Sequence, residues 1–306
     1  PGRTPQIARW WDPVAAPAAG TDPATYRNEE AATAELMRRL DRSIERRMMS
    51  DVPFGVFLSG GINSSTNVAL MARHMDRPVS TFTVGFKQHE RYNELEYARL
   101  VARRFATDHH EVLIDEKDAE EYLPEMVRQQ DEPIADWVCV PLYFVSRLAK
   151  QSGVTVVQVG EGSDELFCGY PHFADAVNLN RHYGRPLGAL PAPLRRAAAG
   201  LARLFTLIDP KWNGRAAAAA AVARGDELFS GGALCFDDRE KGELWTGPRP
   251  PFDRCADFVP TRLLVGGSQD VVREIMAPFR AANPAADFYQ QMLYLELRQR
   301  LPELLL

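Results

Sequence analysis

Two short stretches combine residue types that could do chemistry. The first follows the apolar run Gly55-Val56-Phe57-Leu58 and reads Ser59-Gly60-Gly61-Ile62-Asn63-Ser64-Ser65 before passing into helix-like sequence. Two glycines let the backbone come close to an oxyanion. The exposed amides and the positive end of a following helix attract it, and three hydroxyls can donate to it. The second stretch is Gly160-Glu161-Gly162-Ser163-Asp164-Glu165-Leu166-Phe167-Cys168-Gly169-Tyr170, which places three carboxylates and two glycines within six residues. Carboxylates beside a phosphate-holding loop suit magnesium ligation or the handling of an amine nucleophile.

Each stretch has a plainer reading. A bare SGG is usually a glycine turn with Ser or Asn capping a helix, and an acidic turn is usually a solvated helix start. The first loop lacks the lysine of GxxxxGK[ST] and is not GxGxxG, so two common nucleotide loops are excluded. Its setting between an apolar strand and a helix favours the anion cradle.

The surrounding pattern supplies that setting. Leu36, Leu40, Ile44 and Met48 recur four apart, predicting an amphipathic helix from Glu30. Strand-like and helix-like runs then alternate: 54–58, 63–75, 79–84, 94–105, 111–114, 118–129, 141–151 and 154–159. This order predicts an α/β fold, a doubly wound parallel sheet with helices on both faces. Ligands in such sheets sit beyond the carboxyl ends of the strands, where both loops fall. Past about Tyr183 the sequence turns Ala-rich and helix-prone, with breaks at Gly184, Pro186, Pro191, Pro193, Pro210 and Gly214 and a further helical pattern over 284–300. The run Ala216 to Ala221 reads as a packed helix, alanine being the strongest helix former. The organisation expected is a linker over 1–30 with Trp10-Trp11 as its one apolar anchor, a core over 31–182 and a helical region over 183–306.

Composition narrows the functional classes. The 306 residues are 45% hydrophobic and 25% charged, with a net charge of -5. That balance gives no electrostatic reason to expect nucleic acid or an anionic membrane as partner. Cys139, Cys168, Cys235 and Cys255 form no CxxC pair, and a reducing cytoplasm suits them. No apolar run reaches the ~20 residues that span a bilayer. His109 and His110 are adjacent, so on a strand they point to opposite faces and do not make a zinc site.

Leu58-Ser59-Gly60-Gly61-Ile62-Asn63-Ser64-Ser65 resembles the SGGxDS loop of the ATP pyrophosphatases, in the LSGGxDSS form of the asparagine synthetase family. Gly160 to Tyr170 resembles that family's GEGADELFGGY signature, with Cys168 where Gly is common. Arg46 to Phe57, Asn93 to Arg99, Thr107 to Glu111 and Gln130 to Asp136 are similar to further family segments, the last resembling DEPxAD near the acceptor pocket. The likeness is strongest from about Glu35 to Tyr170.

The resemblance implies a PP-loop type of sheet, ATP and magnesium as cofactors, and amide synthesis through an acyl-adenylate attacked by ammonia, aspartate being the expected carboxylate. It implies ATP contacts from Leu58, Ser59, Gly60, Gly61, Asn63, Ser64, Ser65, Val84, Val159 and Gly160, with Glu161 and Asp164 as catalytic residues and Asn63 and Asp164 on the metal. Val84 reads equally well as a plain core valine. Asn63 departs from the family's Asp, and a neutral carbonyl is a weaker ligand for a hard cation. A catalytically impaired nucleotide-binding relative, or an amidotransferase acting on another carboxylate, are therefore the alternatives. Sulfur or tRNA chemistry on this type of loop predicts a basic surface or a CxxC pair, and the sequence has neither. The chain begins with Pro1 and has no Cys before Cys139, so the expectation is a fragment without the family's glutaminase domain, the ammonia source, and cut short at its other end. The remaining expectations are a cytoplasmic protein with no nucleic acid or membrane partner, compatible with a homodimer.

Overall fold

The structure, a computed structural model, describes residues 12–13, 28–130, 137–209, 212–231, 243–244 and 267–305. Trp10-Trp11, most of the expected linker and the DEPxAD-like segment beyond Gln130 lie outside the described residues. The described residues fall into two compact units that meet in sequence at Glu161 and Gly162.

The first unit opens with helix α1 (Glu29–Arg47). Asn28 caps it, its side chain accepting from the Glu30 amide at 2.9 Å, and acidic residues in the first turn with arginines in the last oppose the helix dipole. Strands β1 (Phe54–Phe57), β2 (Ser80–Phe86), β3 (Asp108–Ile114) and β4 (Val156–Gln158) form one sheet in the order β3-β2-β1-β4. Every pairing is parallel. Between them run α2 (Ile62–His74), α3 (Leu95–Phe105), α4 (Glu116–Gln129) and α5 (Cys139–Gln151). The apolar side chains divide between two faces. Val56 and Leu58 join Ile44, Val68, Met71, Ala98 and Ala102 from α1 to α3. On the other face Phe82 packs with Val145 and Ala149 of α5, and Phe57 and Val84 lean on that cluster. Burial on both faces is why β1 reads as a continuous apolar run. The expected doubly wound parallel sheet is what forms.

Every described element of the second unit is helical. Its elements are α6 (Ser163–Phe167), α7 (Pro171–Leu179), a π-helical turn (Asn180–Gly184), α8 (Arg185–Gly188), α9 (Ala192–Thr206), α10 (Asn213–Arg224), α11 (Ser268–Ala282), α12 (Phe288–Arg298) and α13 (Arg300–Leu305). Phe173, Phe229, Val272, Met276, Phe279, Met292 and Leu295 form its core. The alanine run is a packed helix, with Ala216, Ala218 and Ala219 buried in α10. Helix α12 starts after Asp287, whose side chain accepts from the Gln290 amide in a capping box. No helix among the described residues is long and apolar enough to cross a membrane.

Candidate nucleotide-binding site

The strand order fixes where a ligand can sit. The chain winds from β1 out to β2 and β3, then returns to place β4 on the other side of β1. The crevice beyond the carboxyl ends of β1 and β4 is therefore the topological switch point, the usual ligand position in such sheets. The loops after these two strands are Ser59–Gly61 and Val159–Glu161.

The first loop is held by its own hydroxyls. The Leu58 amide donates to the Phe82 carbonyl at 2.9 Å, and the buried Thr83 hydroxyl donates to the Leu58 carbonyl, so β2 fixes the end of β1. Gly60 then takes φ 85°, in the left-handed region, and a Cβ there would stand 2.5 Å from the Tyr97 Cβ and 2.6 Å from the Ala98 nitrogen of α3. Only glycine fits. The Gly61 amide donates to Ser59 Oγ at 3.1 Å, the Ser59 amide donates to Ser64 Oγ at 3.2 Å, and the two hydroxyls are 2.9 Å apart. These bonds fold the loop over the first turn of α2. No side chain caps that helix at Gly61, and a helix start of this kind attracts an anion. The Ser65 hydroxyl oxygen is buried without a hydrogen-bond partner.

The second loop lies directly against the first. A Cβ on Gly160 would be 3.1 Å from both the Asn63 Cβ and its carbonyl carbon, and 3.2 Å from the Ser64 nitrogen. The structure thus gathers Ser59, Gly60, Gly61, Asn63, Ser64, Ser65 and Gly160 at one place, with exposed Glu161 next in the chain. Leu58 is 1% exposed in the core beneath. Val84 packs in the cluster on the α5 face, and Val159 is exposed.

Asp164 stands on α6 in the second unit. Gly162 enters that turn at φ 86° and Cys168 leaves it at φ 55°. The Gly169 amide donates to the Asp164 carbonyl at 3.0 Å, and a Cβ on Gly169 would collide with the Asp164 carboxylate. The neighbouring Glu165 is 1% exposed and accepts from the Tyr170 hydroxyl at 2.8 Å. Burial, then that hydrogen bond to Glu165, pushes the Tyr170 hydroxyl far above its ordinary value, so it stays a donor. Burial also pushes the Cys168 thiol up.

The two histidines on β3 divide between faces as the strand period requires. His109 Nδ1 lies 2.9 Å from the Thr81 hydroxyl, whereas His110 stacks on Phe82 at 5.3 Å between ring centroids. Sequence reasoning missed Tyr97, Thr83 and Asn93 as supports. Asn93 accepts from the Phe86 amide at 2.6 Å and donates to its carbonyl at 2.7 Å, clamping the end of β2. Their partners are remote in sequence or backbone atoms, so spacing carries no signal for them.

The residues present fit a polyphosphate: a left-handed glycine, an uncapped helix start, a second glycine where a Cβ would be tight and a buried hydroxyl lacking a partner. Asn63 and Glu161 of the first unit offer oxygen donors of the kind magnesium takes, and among the described residues no cluster of three or more His, Cys, Asp or Glu side chains is placed to hold a metal ion.

The fold is a parallel α/β sheet with helices on both faces, of a nucleotide-binding class. The model of the asparagine synthase family matches residues 35–306, and the chain belongs to that family. It is 33% identical over 269 residues to a putative glutamine-hydrolysing asparagine synthetase of Mycobacterium tuberculosis (strain ATCC 25618 / H37Rv), covering 88% of this chain and 39% of that protein. It is 31% identical over 216 residues to a glutamine-hydrolysing asparagine synthetase of Bacillus subtilis (strain 168), covering 71% of this chain and 32% of that one. The chain thus spans about two fifths or less of the length of these relatives.

Proposed function

We propose that this chain is a synthetase portion that uses ATP to activate a carboxylate, aspartate in the first instance, releasing pyrophosphate and leaving an acyl-adenylate for attack by ammonia. The observation that carries the reading is the junction of the Ser59–Ser65 loop with Gly160 at the switch point of the sheet. A carboxylate is a poor electrophile until one oxygen becomes part of a leaving group. Charge then builds on the departing pyrophosphate, and oriented amides with a helix start can stabilise it. In this reading the amides of Gly60, Gly61 and the first turn of α2 hold the phosphates, with the hydroxyls of Ser59, Ser64 and Ser65 donating. Leu58, Val84, Val159 and Gly160 line the nucleotide. Glu161 supports adenylate formation and takes a proton from the attacking amine. Magnesium, held by Asn63 and Asp164, would neutralise phosphate charge when bound. The relatives are glutamine-hydrolysing by name, which points to a glutaminase domain as the ammonia source.

Asn63 favours a second reading, a nucleotide-binding relative with impaired turnover, because it supplies a neutral oxygen where a carboxylate would bind a hard cation better. One experiment separates the two. Pyrophosphate release is measured from the full-length protein and from Asn63→Asp with ATP, magnesium, ammonium and a panel of carboxylates. The synthetase reading expects acceptor-dependent release, with Asn63→Asp reaching half-maximal rate at about tenfold less magnesium, or about 1.4 kcal/mol. Nucleotide binding with no pyrophosphate from either protein supports the second reading and sinks the first.

A further inference from the structure

The second unit contains a buried polar chain that the reading above does not use. Glu165 of α6 is 1% exposed and Glu296 of α12 is 0% exposed. Two carboxylates in a helical core are costly unless a cation and hydrogen bonds compensate them. The compensation runs through Tyr170 and Arg300. The Tyr170 hydroxyl donates to Glu165 Oε1 at 2.8 Å. The Arg300 guanidinium lies 4.2 Å above the Tyr170 ring centroid, and its Nη1 is 3.9 Å from Glu296 Oε2. One arginine thus stacks on the ring that anchors the first carboxylate and faces the second. The turn so anchored is the one that carries Asp164. Its path is demanding, entering at Gly162 with φ 86° and leaving at the non-glycine Cys168 with φ 55°, so it needs an external hold.

We propose that Arg300 is a positioning residue, which by stacking on Tyr170 and facing Glu296 locks Glu165 and so fixes the Gly162–Tyr170 turn that presents Asp164. The catalytic consequence rests on the synthetase reading, whereas the structural one does not. Arg300 acts through Tyr170 and Glu165 and takes no part in the reaction itself.

The test is hydrogen exchange on the full-length protein and its Arg300→Met, Arg300→Lys and Tyr170→Phe variants, followed by pyrophosphate-release kinetics. In Arg300→Met, amides of the turn, including Leu166 and Gly169 that donate to the Gly162 and Asp164 carbonyls, are expected to exchange about tenfold faster while α9 and α10 are unchanged. Arg300→Lys, which keeps the charge, should restore about half of the lost protection. Kinetically, Arg300→Met should lower kcat about tenfold with KM for ATP within about twofold, and its effect should be non-additive with Tyr170→Phe. Unchanged exchange in the turn, exchange raised equally in α9 and α10, no rescue by lysine, or additive kinetic losses would each overturn the assignment. Should the unsubstituted protein release no pyrophosphate, the synthetase reading fails alone, and the exchange data still decide the role of Arg300.

Discussion

The phosphate-type loop of the sheet unit and the acidic turn of the helical unit solve the same backbone problem with different residues. Both leave a regular element through the left-handed region. The first does so at Gly60, φ 85°, where α3 leaves no space for a side chain. The second does so at Cys168, φ 55°, the C-cap of α6, with its side chain half-buried beside the helical core. Glycine visits that region at no steric cost, and any other residue pays roughly 1–2 kcal/mol. The difference shows where each site has slack: the first loop has none, and the second carries a strain that its surroundings hold.

Substitutions at these two positions should therefore act in opposite directions. Gly60→Ala is expected to have the largest effect. Its Cβ would meet backbone and Cβ atoms of Tyr97 and Ala98 at 2.5–2.6 Å, none of which can move without shifting α3. A stability loss of about 3 kcal/mol or more follows, with nucleotide binding abolished. Urea denaturation and a fluorescent ATP analogue would measure both, and a loss below about 1 kcal/mol would show that the loop has slack after all.

Cys168→Gly should instead stabilise. It removes the left-handed penalty and gives back part of that gain through glycine's larger backbone entropy and the lost side-chain packing, leaving a net increase of about 0.5 kcal/mol. The denaturation midpoint should rise in Cys168→Gly and fall in Cys168→Ala, which keeps the penalty and loses the sulfur contacts. A fall in both would mean that packing, and not backbone strain, decides the position.

These two positions also show what a sequence can reveal. Gly60 was legible because the loop sits between an apolar strand and a helix start, and the alternation that flanks it is local. The strands and helices from α1 to β4 were legible for the same reason. Strand β3 was read too short, from Glu111, because His109 and His110 break the apolar pattern. The structure shows them paired with Thr81 and Phe82 across the ladder, and only the neighbouring strand makes two polar residues suitable there. Helix α11 is covered only by the general reading of 183–306 as helical, with no pattern of its own. Pro278 lies inside it, and its apolar face is made sense of by α12, on which it packs. That the two loops share one end of the sheet was legible from the strand alternation and the resemblance, whereas the atomic contact of Gly160 with Asn63 and the stacking of Arg300 on Tyr170 join residues about a hundred or more positions apart, which no period links.

Acid should expose the smallest difference between the two units. Burial is the main cause that lowers the pKa of both His109, in the sheet unit, and His172, in the helical unit, below the ordinary 6.5. A histidine whose folded pKa is depressed takes up its proton more readily when unfolded. Its contribution to stability is thus fully present above about 6.5 and is lost as pH falls through that value toward the folded pKa. The neighbours differ, however. Glu111, 3.1 Å from His109 Nε2, opposes the shift, because a carboxylate welcomes the imidazolium. His172 has a buried Nε2 with no partner, and the largest charge effect on it is that of Arg300, which reinforces the shift, while Asp175 and Glu165 each oppose it more weakly; at His109 the order is reversed, with Glu111 ahead of His110 and Arg99. Comparing denaturation midpoints at about pH 5 and about pH 7.5, His172→Gln should remove more of the acid sensitivity than His109→Gln. An equal effect of the two would mean that burial alone sets both histidines and that Arg300 exerts no measurable field at Tyr170 and His172.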